Sequence, residues 1–184
     1  MKQLPPGWVV TGFGPFGDVT ENPSGILAQA LSPDAVVLPV TYAAVDQFLA
    51  DLSPTECLLM IGVDATAKEQ HLELIGHNQV TGLVDVDGQA RRGSIVPDAP
   101  ARLGSTLVPA ELATTLAEGN TRGLRLRTDP GRYLCNYALF CALARRPEIK
   151  SAFLHIPPFE VMSKSRQVRR ARWIVEECHR AWYL

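Results

Sequence analysis

The sequence predicts an α/β fold, a single-domain α/β/α sandwich over residues 1–184 with a mostly parallel central sheet, and three observations predict it. Short apolar runs alternate with stretches of helical period along most of the chain, the pattern of strands joined by crossover helices. The run Cys57-Leu58-Leu59-Met60-Ile61-Gly62 is apolar without interruption, as expected of a central strand covered on both faces. A length of 184 residues with 46% hydrophobic content suits one domain whose core needs no disulfide.

In chain order, Trp8 to Gly12 reads as the first strand and runs into a glycine-rich loop. Asn22-Pro23-Ser24 opens a helix, with Asn22 as N-cap and Pro23 at the first helical position, continuing through Leu31. Ala35 to Val40 is a second strand, and Ala44 to Leu52 a helix with apolar positions at helical spacing. After the Cys57 strand, Leu72 to Ile75 reads as a strand and Thr81 to Ala101 as a loop-rich excursion that could serve as a lid. Glu111 to Glu118 is a helix after Pro109, and Gly123 to Arg127 a strand. A turn at Asp129-Pro130-Gly131 leads into an apolar helix through Ala144. Ala152 to Pro157 is a short strand, and a final helix covers about Ser165 to Ala181. On that helix Lys164, Arg166, Arg169, Arg170 and Arg172 mark a solvated or subunit-facing side, opposite Val168, Trp173, Val175, Cys178 and Trp182.

Composition narrows the function. A net charge of −1 offers nothing to a polyanion, so nucleic acid is not an expected partner. No apolar run approaches the length of a membrane-spanning helix, and Met1–Gly7 is too polar and proline-broken for a signal peptide. The four cysteines, Cys57, Cys135, Cys141 and Cys178, are widely spaced in apolar stretches and read as reduced thiols of a cytoplasmic protein.

Cys135 falls at or near a helix N-terminus, where unpaired backbone N–H groups and the helix dipole favour the reactive thiolate. Twenty residues on, His155 stands at the end of an apolar strand before Pro157-Pro158. A cysteine nucleophile needs a base to carry its proton, and the base needs a third group to orient it. Glu73, an acid within His71-Leu72-Glu73-Leu74-Ile75-Gly76-His77-Asn78, is the conspicuous third candidate, since an unpaired carboxylate in an apolar strand is costly. Lys68 is an alternative partner for it. If His71, Glu73 and His77 lie on one strand they share a face, but their spacing matches no established zinc motif. The loop from Gly12 to Gly17 lacks the spacing and the lysine of a phosphate-binding loop.

Thr11-Gly12-Phe13-Gly14-Pro15-Phe16-Gly17, followed by Asn22-Pro23-Ser24, resembles the N-terminal signature of the pyroglutamyl peptidase I (pyrrolidone-carboxylate peptidase) family. Tyr133-Leu134-Cys135-Asn136 resembles its nucleophile motif, and Phe153-Leu154-His155-Ile156-Pro157 its histidine motif. Glu73 with Asn78 five residues on matches its glutamate motif, and all four stand in family order. The resemblance implies Cys135 as nucleophile, His155 as general base then acid, and Glu73 as the residue orienting His155. It implies a substrate peptide blocked by an N-terminal pyroglutamyl group, with Phe13, Phe16, Tyr133 and Leu134 holding the flat ring. Backbone N–H groups at the start of the Cys135 helix would receive the oxyanion. No metal or organic cofactor is needed, and the family implies a homo-oligomer.

The chain departs from the family pattern before the glutamate (Gly62 to Lys68), after it (Leu74), after the asparagine (Gly82 to Gly88), and ahead of the cysteine (Arg127 to Arg132). These departures touch pocket walls and spare the three catalytic candidates. They motivate a second reading, a relative that binds or hydrolyses another blocked or cyclic amide. A third is a nucleoside-handling protein of similar architecture, because fold alone does not fix function.

Overall fold

The computed structural model describes residues 4–118 and 124–184. The elements are β1 Trp8–Phe13, α1 Pro23–Leu31, β2 Val36–Leu38, α2 Tyr42–Asp51, β3 Cys57–Val63, β4 Gln70–Glu73, β5 Ile75–His77, β6 Val80–Val84, β7 Ala90–Gly93, β8 Arg102–Gly104, α3 Ala110–Ala117, β9 Leu124–Arg127, α4 Leu134–Arg145, β10 Lys150–Ile156 and α5 Lys164–Tyr183. The predicted start of the ninth strand, Gly123, lies outside the described residues.

Six strands form the main sheet in the order β2-β1-β3-β10-β4-β9. The β2, β1, β3 and β10 ladders are parallel, β4 runs antiparallel to β10, and β9 is parallel to β4. Period-two alternation sorts the side chains between two layers. Cys57, Leu59 and Ile61 of β3 point into one core with Leu27 of α1, Leu116 of α3 and Ile174 of α5. Leu58 and Met60 point into the other with Leu49 of α2 and Leu139 of α4. This is the predicted α/β/α sandwich, with β3 buried on both faces as its unbroken apolar run requires. The four cysteines are free. Among the described residues no helix is long and apolar enough to cross a membrane.

Three expectations change. The strand expected over Leu72–Ile75 divides at Leu74: β4 stays in the main sheet and β5 leaves to pair with β8. The excursion from Thr81 to Ala101 is no plain loop, since β6 and β7 form a two-stranded hairpin. Asp85 holds its turn by accepting from the backbone N–H groups of Asp87 (3.0 Å) and Gln89 (2.8 Å). Most of that ribbon is exposed, so there was little hydrophobic alternation to read. On α5 the buried stripe is Gln167, Ala171, Ile174, Val175 and Cys178, while Trp182 is 41% exposed. The Trp182 indole N–H donates to the Leu107 carbonyl, and Lys150 lies over its ring, so it packs along the rim.

Candidate active site

Cys135 is the second residue of α4, and Tyr133 is the N-cap, extended at φ −117° and without a side-chain capping bond. Gly131, at φ +81°, and the Asp129 carboxylate, which accepts from the Gly131 N–H and pairs with Arg132, shape the turn that starts the helix there. Cys135 is half-buried, whereas the other three cysteines are buried. Room for its sulfur comes from β3. A Cβ on Gly62 would stand 2.9 Å from Cys135 Sγ and 2.7 Å from the Phe153 ring, closer than Cβ atoms come. The Gly62→Ala variant is therefore expected to displace the thiol, losing most activity and about 1–3 kcal/mol of stability. Paired activity assays and urea melts check it.

His155 sits near the carboxyl end of β10, in register with Gly62 of β3 on one side and His71 of β4 on the other. Its Nδ1 is 2.9 Å from Glu73 Oε1; Glu73 is 1% exposed and His155 8%. Burial works against a charged ring. The charge of Cys135 and a hydrogen bond to it, then the bond to and charge of Glu73, outweigh burial and push His155 up to about 10. With Nδ1 committed to Glu73, Nε2 is the nitrogen left to face Cys135. Glu73 is thus the partner of His155, not of Lys68. His77 lies in β5, its Nε2 2.8 Å from the Thr128 carbonyl, so it does not share the β4 face as a single strand would require.

A pocket of about 150 Å³ opens beside Cys135 between Phe13, Phe16, Tyr133 and Leu134, with Asn22, Val40 and Val63 completing its lining. A larger concavity, about 750 Å³, lies elsewhere, along β2 between Trp8, Val37 and Phe48, and is not lined by Cys135, His155 or Glu73. The smaller pocket is the one with chemistry in it. The Phe13–Phe16 loop is clamped from α1: Ser24 Oγ accepts the Phe13 N–H and donates to Asn22 Oδ1, while Asn22 Nδ2 donates to the Gly14 carbonyl. Gly12 permits this crossing, because a Cβ there would stand 2.3 Å from the Ser24 carbonyl oxygen. Phe13 is buried and Phe16, 39% exposed, forms the mouth.

The structure thus brings together all seven residues singled out in the sequence: Cys135, His155 and Glu73 as one cluster, Phe13, Phe16, Tyr133 and Leu134 as the adjoining walls. Sequence reasoning gave Asn22 only its place as the N-cap of α1, which the structure bears out, and assigned no part in the site to Gly62 or Asn136. Asn136 is fully buried; its Oδ1 accepts the His77 N–H and its Nδ2 donates to the carbonyls of His77 and Gln79. It ties the cysteine helix to the strand that follows Glu73. A polar residue alone in an apolar helical run was the available signal. Asn136→Ala is expected to cost about 2–4 kcal/mol by orphaning buried backbone groups, read as a shift in denaturation midpoint.

The family model described as "Pyroglutamyl peptidase" matches residues 8–168. Human pyroglutamyl-peptidase 1 is 33% identical over 195 residues, covering 96% of this chain and 91% of the relative. The pyrrolidone-carboxylate peptidase of Thermococcus litoralis is 28% identical over 176 residues, covering 85% and 79%. The crystal structure of pyrrolidone carboxyl peptidase from Thermus thermophilus superposes with a TM-score of 0.79 at 29% identity, covering 92% of this chain and 98% of that one.

Proposed function

The chain belongs to the pyroglutamyl peptidase family, and from that premise we propose that Cys135, His155 and Glu73 are its nucleophile, proton carrier and orienting acid. The activity is removal of the N-terminal pyroglutamyl group from peptides that carry one. One observation carries the residue roles: the 2.9 Å His155–Glu73 bond, buried, with Cys135 acting on the same imidazole.

In this mechanism the Cys135 thiolate attacks the carbonyl carbon that joins pyroglutamate to the next residue. The oxyanion forms against backbone N–H groups of the first turn of α4, which no Tyr133 side-chain bond occupies. His155, holding the proton, delivers it to the departing amine as the C–N bond breaks and a thioester to pyroglutamate remains. Water then attacks the thioester, His155 takes its proton, and pyroglutamate leaves as Cys135 is restored. Glu73 keeps the ring oriented and its charge favoured throughout. A 150 Å³ pocket has room for one small ring, and the faces of Phe13 and Phe16 suit a flat, neutral lactam. Tyr133 and Leu134 supply the opposite wall. A homo-oligomer and a cytoplasmic location belong to this reading through the family alone.

The test is release of a fluorogenic amine from a pyroglutamyl amide, with a prolyl amide as control. The two rings have the same size, but proline carries a charged nitrogen and no lactam carbonyl. Turnover of the pyroglutamyl amide alone is expected. Turnover of neither by folded, reduced protein, or of both alike, would overturn the assignment of substrate.

A further inference from the structure

The register of β4 against β10 sets a second imidazole beside the catalytic one. His71 pairs directly with His155 and Glu73 with Phe153, so His71, Glu73 and His155 share one face of the sheet. His71 is 3% exposed; its Nδ1 lies 3.9 Å from Asp64 Oδ2 and makes no hydrogen bond among the described residues. Glu73 gives Oε1 to His155, and its Oε2 is buried with no hydrogen-bond partner among the described residues. One buried carboxylate therefore stands near two imidazoles with one oxygen uncommitted.

We propose that His71 is a positioning residue for the hydrolysis: when charged it draws the free oxygen of Glu73 and loosens the carboxylate's hold on His155, with Asp64 as the counter-ion for that charged form. This role rests on the assignment of Glu73 and His155 made above.

The charged groups around His71 come from four directions. Glu73 shares its strand, His155 faces it from β10, and Asp64 approaches from the loop after β3. Arg125 and Arg127 of β9 stand in register with His71 and Glu73, and Arg125 is engaged by Glu69. Cys135 acts on the cluster through His155. Burial lowers the proton affinity of His71 and Arg127 lowers it further, against Glu73 and Asp64, so the net direction is below the usual histidine range. The ring is neutral at pH 7 and charges only as the pH falls below about 6.5. In that window the unfolded chain binds the proton first, so folding stability declines along with the grip on His155.

The test compares kcat/KM at pH 5 and pH 8 for the wild type, His71→Gln and Asp64→Asn. Glutamine cannot acquire the charge, so the ratio of pH 5 to pH 8 activity is expected to rise severalfold in His71→Gln. It is expected to rise in Asp64→Asn too, because without its counter-ion His71 charges at lower pH. Asp64 is partly exposed and keeps the test open should His71→Gln fold poorly. Histidine ring resonances, followed without substrate, supply a readout independent of turnover. The His155 signal is expected to move as His71 titrates in the wild type and not to do so in His71→Gln. Unchanged ratios in folded variants, or a His155 signal indifferent to His71, would overturn the role. Absence of pyroglutamyl turnover at any pH, with the resonances still coupled, would count against the substrate assignment and not against the coupling.

Discussion

Cys135→Ala is expected to lower kcat on a pyroglutamyl amide by a factor on the order of 10⁴ or more, the scale at which removal of a triad member leaves only binding and the oxyanion site. The fold is expected to survive. Cys135 is half-buried at the first turn of α4, and its sulfur lies over Gly62, 2.9 Å from where a Cβ would stand. Loss of one sulfur there costs about 1 kcal/mol. The imidazole reports the change as well. Cys135 is foremost among the groups that overcome burial to keep His155 charged, so the titration midpoint of His155, near 10 in the intact site, is expected to fall in the variant. A stopped assay together with an NMR titration reads both effects. A variant retaining activity within tenfold of the wild type would remove Cys135 from the mechanism.

Glu73→Gln is expected to have the next largest effect, a loss on the order of 10²–10⁴ in kcat. Glutamine keeps the size of the side chain and one acceptor oxygen, but removes the negative charge and introduces an amide beside a buried imidazole. The pH dependence separates orientation from charge. His155 is raised in the folded state from about 6.5 to about 10, so its favourable contribution is complete below 6.5 and is lost as the pH climbs through 10. The basic limb of kcat/KM in the wild type is therefore expected near 10, where the imidazolium that protonates the leaving amine disappears. In Glu73→Gln that limb is expected to move toward 6.5, and stability to decline at lower pH than in the wild type. A basic limb that stays in place would leave Glu73 a packing role alone.

The site was legible in the sequence to the extent that its chemistry is local. A thiol after a proline-glycine turn and before an apolar helix announces a helix N-terminus, and the structure has Cys135 on the first turn of α4. An apolar strand ending in His155 before two prolines announces a strand end, and an acid in an apolar run announces a partner. What remained hidden is non-local. The break at Leu74, which removes His77 from the β4 face, depends on β8 being available to pair with β5. The hairpin of β6 and β7 carries almost no buried face, so its strands left little of the alternation by which strands are recognised. Gly62 and Asn136 appeared only as part of an apolar strand and part of a motif. Their roles lie in what approaches them from elsewhere, the Cys135 sulfur in one case and the His77–Gln79 backbone in the other.

By itself the sequence determined the sandwich and the order of its layers, because burial imposes a period of two on strands and 3.6 on helices, and those periods are written residue by residue. It also determined which side chains could carry a thiol mechanism, through their types and their places at element ends. Tertiary structure alone decided that Glu73 and His155, 82 positions apart, meet at 2.9 Å, and that His71 lies directly across from His155. The physical reason is register. Side-chain pairing across a sheet depends on which residues of two distant strands stand opposite one another, and that is set by the packing of the whole sheet between its helices and not by either strand.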